Sequence, residues 1–163
     1  MKIFIANIDS ISKNPDKYMT LLSKSDQARV STFQKQTRKL QFILGHLMAD
    51  NCGEKYNSIA HRDNLVVVAA SNFPVGIDIE NTTIERDFVA SAELMNLATP
   101  KSLDDFYKSF TESEAVYKLG TNPKCIKFIN YGDYLICVVS THDFEMPKLS
   151  EFNVDSLLIS EKK

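Results

Sequence analysis

The sequence predicts an α+β fold built from two pseudo-equivalent halves, each a helix followed by antiparallel strands. Three observations carry this. Leu40, Ile43, Leu44, Leu47 and Met48 fall at i, i+3, i+4, i+7 and i+8, a single apolar helical stripe. Leu65-Val66-Val67-Val68-Ala69-Ala70 is an unbroken run of the kind shown by a strand buried on both faces. A second helical stride, Leu103, Phe106, Phe110 and Tyr117, then precedes a strand pair, Cys125–Asn130 and Asp133–Ser140, around Tyr131-Gly132-Asp133.

The remaining elements follow in order. Residues 2–8 are rich in β-formers and read as an opening strand. Asn14-Pro15-Asp16 marks a turn and starts a short helix from Pro15 to Ser23. Gly45 inside the long helix costs ~1 kcal/mol against alanine, which points to close packing there, and Gly53 is its stop. Ser71-Asn72-Phe73-Pro74 turns the chain, and Val75 to Glu80 returns as a strand, so a hairpin with the 65–70 run is expected. Asn81-Thr82-Thr83 breaks the pattern. The boundary is placed there, giving halves 1–81 and 82–163 in one compact unit with a site between them. Thr99 is read as the cap of the second long helix and Pro100 as its first residue. Gly120 and Asn122-Pro123 end it, and Val154 to Ile159 is read as a short strand.

Bulk properties exclude several classes. The 163 residues are 44% hydrophobic and 25% charged, with a net charge of −2, so no field draws the chain to nucleic acid. Cys52, Cys125 and Cys137 form no Cys-x-x-Cys pair, and His46, His61 and His142 are scattered. Neither a zinc site nor a disulfide framework is expected, and a reducing cytoplasm fits. The 65–70 run is far too short to cross a membrane, and Met1-Lys2 leads into a strand rather than a leader's apolar stretch.

Two clusters can carry chemistry. In Gly76-Ile77-Asp78-Ile79-Glu80, strand alternation puts Asp78 and Glu80 on one face, ~7 Å apart. They are either half of a site for a hard divalent cation or a solvent-facing acidic pair. In the second, Phe110 to Lys118, Glu114 and Lys118 lie i, i+4 on one helix face. They could hold a metal and a phosphate side by side. They could equally be a surface ion pair, or Thr111 could cap a helix with Glu114 reaching back to it.

The two clusters occur in the order, and at the kind of spacing, seen in the 4′-phosphopantetheinyl transferase superfamily. The chain resembles its larger pseudo-dimeric, surfactin-synthetase-activating type. That family carries a Gly-Ile/Val-Asp-x-Glu strand and a downstream Trp-Ser/Thr-x-Lys-Glu-Ala/Ser-x-x-Lys helix. His61, in Ser58-Ile59-Ala60-His61, matches the family's Asn-x-Ser-His, and Arg29 to Ala49 resembles its N-terminal helix. The likeness spans residues 1–145. It implies that Asp78, Glu80 and Glu114 bind Mg²⁺ and that Lys118 meets the coenzyme A pyrophosphate. It places His61 near the 3′-phosphate, with Arg29, Arg38, Lys39, His46 and Arg62 left as basic contacts for coenzyme A. The implied reaction moves phosphopantetheine onto a serine of an acyl or peptidyl carrier protein, with Glu114 and Lys118 as catalytic groups. A duplicated chain of this kind would be a cytoplasmic monomer.

The chain also departs from the pattern. Phe110 stands for tryptophan, Ser113 for lysine and Ala60 for serine, while Gln41, Asp50 and Asp26 fill positions that are usually basic. The segment between Gly53 and Ser58 is short for the type. A non-catalytic homologue that binds a protein partner is therefore the alternative. Each lost charge-assisted hydrogen bond is worth roughly 1.5–3 kcal/mol. The sequence thus predicts weak coenzyme A binding unless Arg29, Arg38, Lys39, His46 or Arg62 compensates. Calorimetric titration with coenzyme A, with and without magnesium, measures this, and tight magnesium-assisted binding is the result that contradicts it.

Overall fold

Residues 1–160 are described by the computed structural model, so the last three residues of the expected second half, 161–163, lie outside the described residues. The chain runs β1 (Lys2–Asn7), α1 (Asp9–Ser12), α2 (Pro15–Met19), α3 (Lys24–Thr32), α4 (Gln36–Asp50), β2 (Tyr56–Arg62) and β3 (Leu65–Ser71). It continues with β4 (Val75–Asn81), α5 (Phe88–Leu94), α6 (Leu103–Leu119), β5 (Cys125–Tyr131), β6 (Tyr134–Ser140), β7 (Leu149–Glu151) and α7 (Asp155–Ser160). This is an α+β fold. One sheet has the order β2-β3-β1-β7, with β7 parallel to β1, and the other is antiparallel in the order β4-β6-β5.

The apolar alternation of the strands decides the layers. Val66 and Val68 of β3 pack outward against α4, with Ile43, Leu44, Leu47 and Met48. Val67 and Ala69 point the other way and meet Ile77, Ile79, Ile136 and Val138 of the second sheet. The outer face of that sheet, Leu135, Cys137 and Val139, is covered by Phe106, Tyr107 and Ala115 of α6. The order through the molecule is helix, sheet, sheet, helix. Among the described residues no helix is long and apolar enough to cross a membrane.

Both sheets follow one plan: a leading strand, a helix, then a hairpin whose second strand pairs with the leading strand. Ile3-Phe4-Ile5-Ala6-Asn7 on β1 corresponds to Ile77-Asp78-Ile79-Glu80-Asn81 on β4. Asn7 Oδ1 accepts from Asp9 N at 2.9 Å, and Asn81 Oδ1 accepts from Thr83 N at 3.0 Å. Just past each strand, Ile8 N donates to Asn64 O and Thr82 N to Asp133 O, both at 2.9 Å.

Several expectations from the sequence are corrected. β3 and β4 form no hairpin: β3 pairs with β1 and β2, whereas β4 pairs with β6. The turn 72–74 carries the chain from one sheet to the other. Ser102, not Thr99, caps α6, because its hydroxyl accepts from Asp105 N at 3.1 Å. The helix begun by Pro15 stops at Met19. The long helix ends with Asn51 as its cap, ahead of Gly53. The expected strand at 154–159 is mostly helix α7, whose Asp155 accepts a hydrogen bond from the Tyr18 hydroxyl.

Two glycines set the helix-to-sheet distances. A Cβ on Gly45 would meet Ile59 Cγ2 at 2.8 Å. One on Gly76 would meet backbone on α6, 2.1 Å from Ala115 O and 3.0 Å from Leu119 N. Side chains can shift, but this helix backbone cannot without leaving the sheet. Gly76→Ala is expected to destabilise the chain by on the order of 3 kcal/mol, as overpacking does. A thermal melt of the variant should show a drop of several degrees, and an unchanged transition would contradict the close approach.

Candidate functional site

The site grows from the outer face of β4. Alternation sends Ile77 and Ile79 into the layer between the sheets and turns Gly76, Asp78 and Glu80 toward α6. Asp78 is 7% exposed and Glu80 6%, which rules out a solvent-facing acidic pair. Lys118 Nζ reaches back from α6 to Asp78 Oδ1 at 2.7 Å and donates to Ile77 O at 3.1 Å. It does not form the i, i+4 pair with Glu114. The capping alternative also fails: Thr111 is fully buried in mid-helix and donates to Tyr107 O at 2.6 Å. From β2, Arg62 Nη1 comes to 3.2 Å from Glu80 Oε2.

The electrostatics tie these groups together. Burial raises the Asp78 pKa first; Lys118 opposes the rise and Glu114 adds to it. Glu80 is pushed from 4.5 to about 7, chiefly by burial, with Asp78 and Glu114 adding and Arg62 and Arg86 opposing. Asp78 Oδ2 and Glu80 Oε2 are buried without a hydrogen-bond partner. Arg62 stands within ion-pair distance of the latter but is misaligned for a hydrogen bond. As they stand, no three His, Cys, Asp or Glu side chains among the described residues are gathered closely enough to hold a metal ion. The donor chemistry nonetheless fits magnesium, a hard cation that takes carboxylate oxygens. Two buried carboxylate oxygens without donors are the atoms such an ion would satisfy.

A second group lies across the seam. Arg29, Arg38, His46 and His61 line one cleft with Gln41, Phe42 and Ile59. Arg38 hydrogen-bonds His61 Nε2 and lies 5.4 Å from the centre of the Phe33 ring. Arg29 sits over Phe42, and His46 stacks on the same ring at 3.9 Å. Burial lowers the His61 pKa to about 4, with Arg38 and then Lys118 adding to the effect. His61 is therefore neutral near pH 7.

Not every expected contact joins this cleft. Lys39 lines a different one, with Asp16, Met19 and Gln36. Arg62 belongs to Glu80, because neighbours on a strand point to opposite faces and His61 takes the cleft side. Gln41, standing where an arginine was expected, donates to Asp63 O at 2.8 Å. Asp63 itself is an unforeseen clasp. Its Oδ2 accepts from Asn81 Nδ2 at 2.9 Å and from the Tyr134 hydroxyl at 3.1 Å, joining the β2–β3 turn to the second sheet. Its positive φ of 50° fits an aspartate in a tight turn. Such turn chemistry was the one sequence signal that could have marked it. Arg86 has no comparable signal.

No family model matches the chain, and a search of curated proteins finds no match either.

Linkage gives a test of the Glu80 environment. Its raised pKa means that the folded chain binds a proton more tightly than the unfolded one between about pH 4.5 and 7. The cost of ionised Glu80 is absent below that window and complete above it. His61, with its lowered pKa, works in the opposite sense, losing stability as pH falls below 6.5. Comparing Glu80→Gln with the parent chain cancels that contribution. The variant's relative stability in urea titrations should climb from about pH 4.5 to about 7 and then level off. A flat difference would contradict the burial of this carboxyl among Arg62, Asp78, Arg86 and Glu114.

Proposed function

We propose that the chain is a Mg²⁺-dependent 4′-phosphopantetheinyl transferase with that family's fold, moving the arm of coenzyme A onto a serine of an acyl or peptidyl carrier protein. The observation that carries this reading is the approach of α6 to β4. It brings Lys118 onto Asp78 and the Glu114 charge onto both Asp78 and Glu80, with two carboxylate oxygens left unsatisfied. Magnesium bound there would neutralise the pyrophosphate charge.

The chain's own residues supply the rest. The Arg29, Arg38 and His46 cleft offers cationic and aromatic surface to the nucleotide end of coenzyme A. With Nε2 accepting from Arg38, neutral His61 carries its proton on Nδ1 and has that one N–H to donate. The serine oxygen forms a bond to phosphorus as the bond to 3′,5′-ADP breaks. Glu114 receives the serine proton, directly or through water, and Lys118 stabilises the departing phosphate. One chain carries every one of these groups, so the reading is of a monomer acting in the cytoplasm.

A non-catalytic, partner-binding homologue is the second reading. It is favoured by one feature: Lys118 and Arg62 already sit on Asp78 and Glu80, which lessens the need for a metal.

Mass spectrometry of an apo carrier protein incubated with the chain, coenzyme A and magnesium decides between them. Transfer should appear as a phosphopantetheine mass gain. Glu80→Ala or Glu114→Ala should slow it by on the order of a hundredfold or more. No mass gain with any of several carriers would favour the second reading.

A further inference from the structure

Arg86 lies in the segment joining β4 to α5, a segment pinned on both sides. The Tyr107 hydroxyl donates to Ile84 O at 2.7 Å, and Asp87 caps α5 by accepting from Ala90 N at 3.0 Å. Between these anchors the Arg86 guanidinium is held over two rings of α6, 5.5 Å from the centre of Phe106 and 5.1 Å from that of Tyr107. Both rings are fully buried. Among the described residues no carboxylate lies within salt-bridge distance of Arg86, so its charge is held in place but unpaired. Stacking uses the face of a guanidinium. The N–H groups on its edge remain available for a planar, bidentate acceptor.

Its position sets it near the carboxylates. Tyr107, Thr111, Glu114 and Lys118 recur along α6 at i, i+4, i+7 and i+11. Tyr107 and Lys118 are thus about 16 Å apart along the axis, with Asp78 and Glu80 facing the stretch between them. The contacts of Arg62 with Glu80 and of Asp63 with Asn81 put His61 level with the Glu80 end of β4, the end from which the chain continues to Arg86. The charge of Arg86 reaches Glu80, where it favours the ionised form.

We propose that Arg86 is a phosphate-binding residue of this site, its edge N–H groups closing on a phosphate of a bound pyrophosphate group. The inference rests on the transferase reading above. It goes further by assigning a ligand contact to a residue outside the β4 and α6 clusters.

Titration calorimetry of the whole chain with inorganic pyrophosphate in magnesium buffer tests it. Arg86→Gln should weaken binding roughly tenfold or more, as expected when a charge-assisted pair is lost. Arg86→Lys should recover part of the affinity, since it restores the charge without the fork. Melting temperatures are recorded alongside. A variant that melts lower but binds pyrophosphate like the parent overturns the proposal and leaves Arg86 as a brace for Phe106 and Tyr107. Equal pyrophosphate affinity with a raised carrier-protein KM also overturns it, because the guanidinium then serves a carboxylate of the acceptor. If the parent chain binds no pyrophosphate at all, the transferase reading itself falls, and this contact with it. Should Arg86→Gln fail to fold, Arg86→Lys carries the test: severalfold weaker binding is expected, and parental affinity overturns the proposal.

Discussion

The close approach of the α6 backbone to β4 at Gly76 is the constraint on which the rest depends. With only a hydrogen at that position, Ala115 O can lie where a methyl group would otherwise stand. Helix side chains one turn away then fall within reach of the strand's outward face. Lys118 can extend along β4 and cap both a main-chain carbonyl and a carboxylate because its helix is so near. A larger residue at 76 would lift the helix, and the carboxylate row would open to water. The buried polar character of the site is therefore a consequence of backbone packing and is not set by the acidic residues themselves.

That packing has an electrostatic cost. Two carboxylates beside each other at 7% and 6% exposure lose hydration that Lys118 and Arg62 replace only in part. The fold holds this unfavourable arrangement with the apolar layers on either side of β4 and with hydrogen bonds across the seam, such as Ile77 N to Ser58 Oγ at 3.2 Å. The Asp63 clasp adds two more between the β2–β3 turn and the second sheet. Buried carboxylates with raised pKa values occur in structural ion-pair networks as well as in reacting centres.

Local periodicity made the framework legible. The apolar stripe of α4, the β3 run and the β5–β6 hairpin are short-range patterns, and each formed where the spacing put it. The pairing of Asp78 with Glu80 on one face was readable for the same reason. What failed was non-local. Adjacent runs with a turn between them look like a hairpin, yet β3 was already saturated by β1 and β2, so β4 had to pair elsewhere. β2 lacks an apolar alternation strong enough to mark it, which is why His61 and Arg62 were grouped although they face opposite sides. Thr99-Pro100 looked like a helix start, but Ser102 offered its hydroxyl at the correct distance from the first unpaired amides.

The shared plan of the two sheets has one more consequence. On β1, the positions matching Asp78 and Glu80 hold Phe4 and Ala6, and the strand's outer edge is occupied by β7, with Phe152 N bonded to Ile5 O and its ring set edge-on against Phe4. Among the described residues no further strand is added to β4, and the matching edge meets β2 instead. The two strands therefore differ in what they present. β1 is sealed by the segment around β7, while β4 presents an acidic face and, among the described residues, an edge free of any added strand. Variation on β1 should be tolerated according to how well it fills space, and variation on β4 according to what charge it presents, even though both are strands of nearly the same shape.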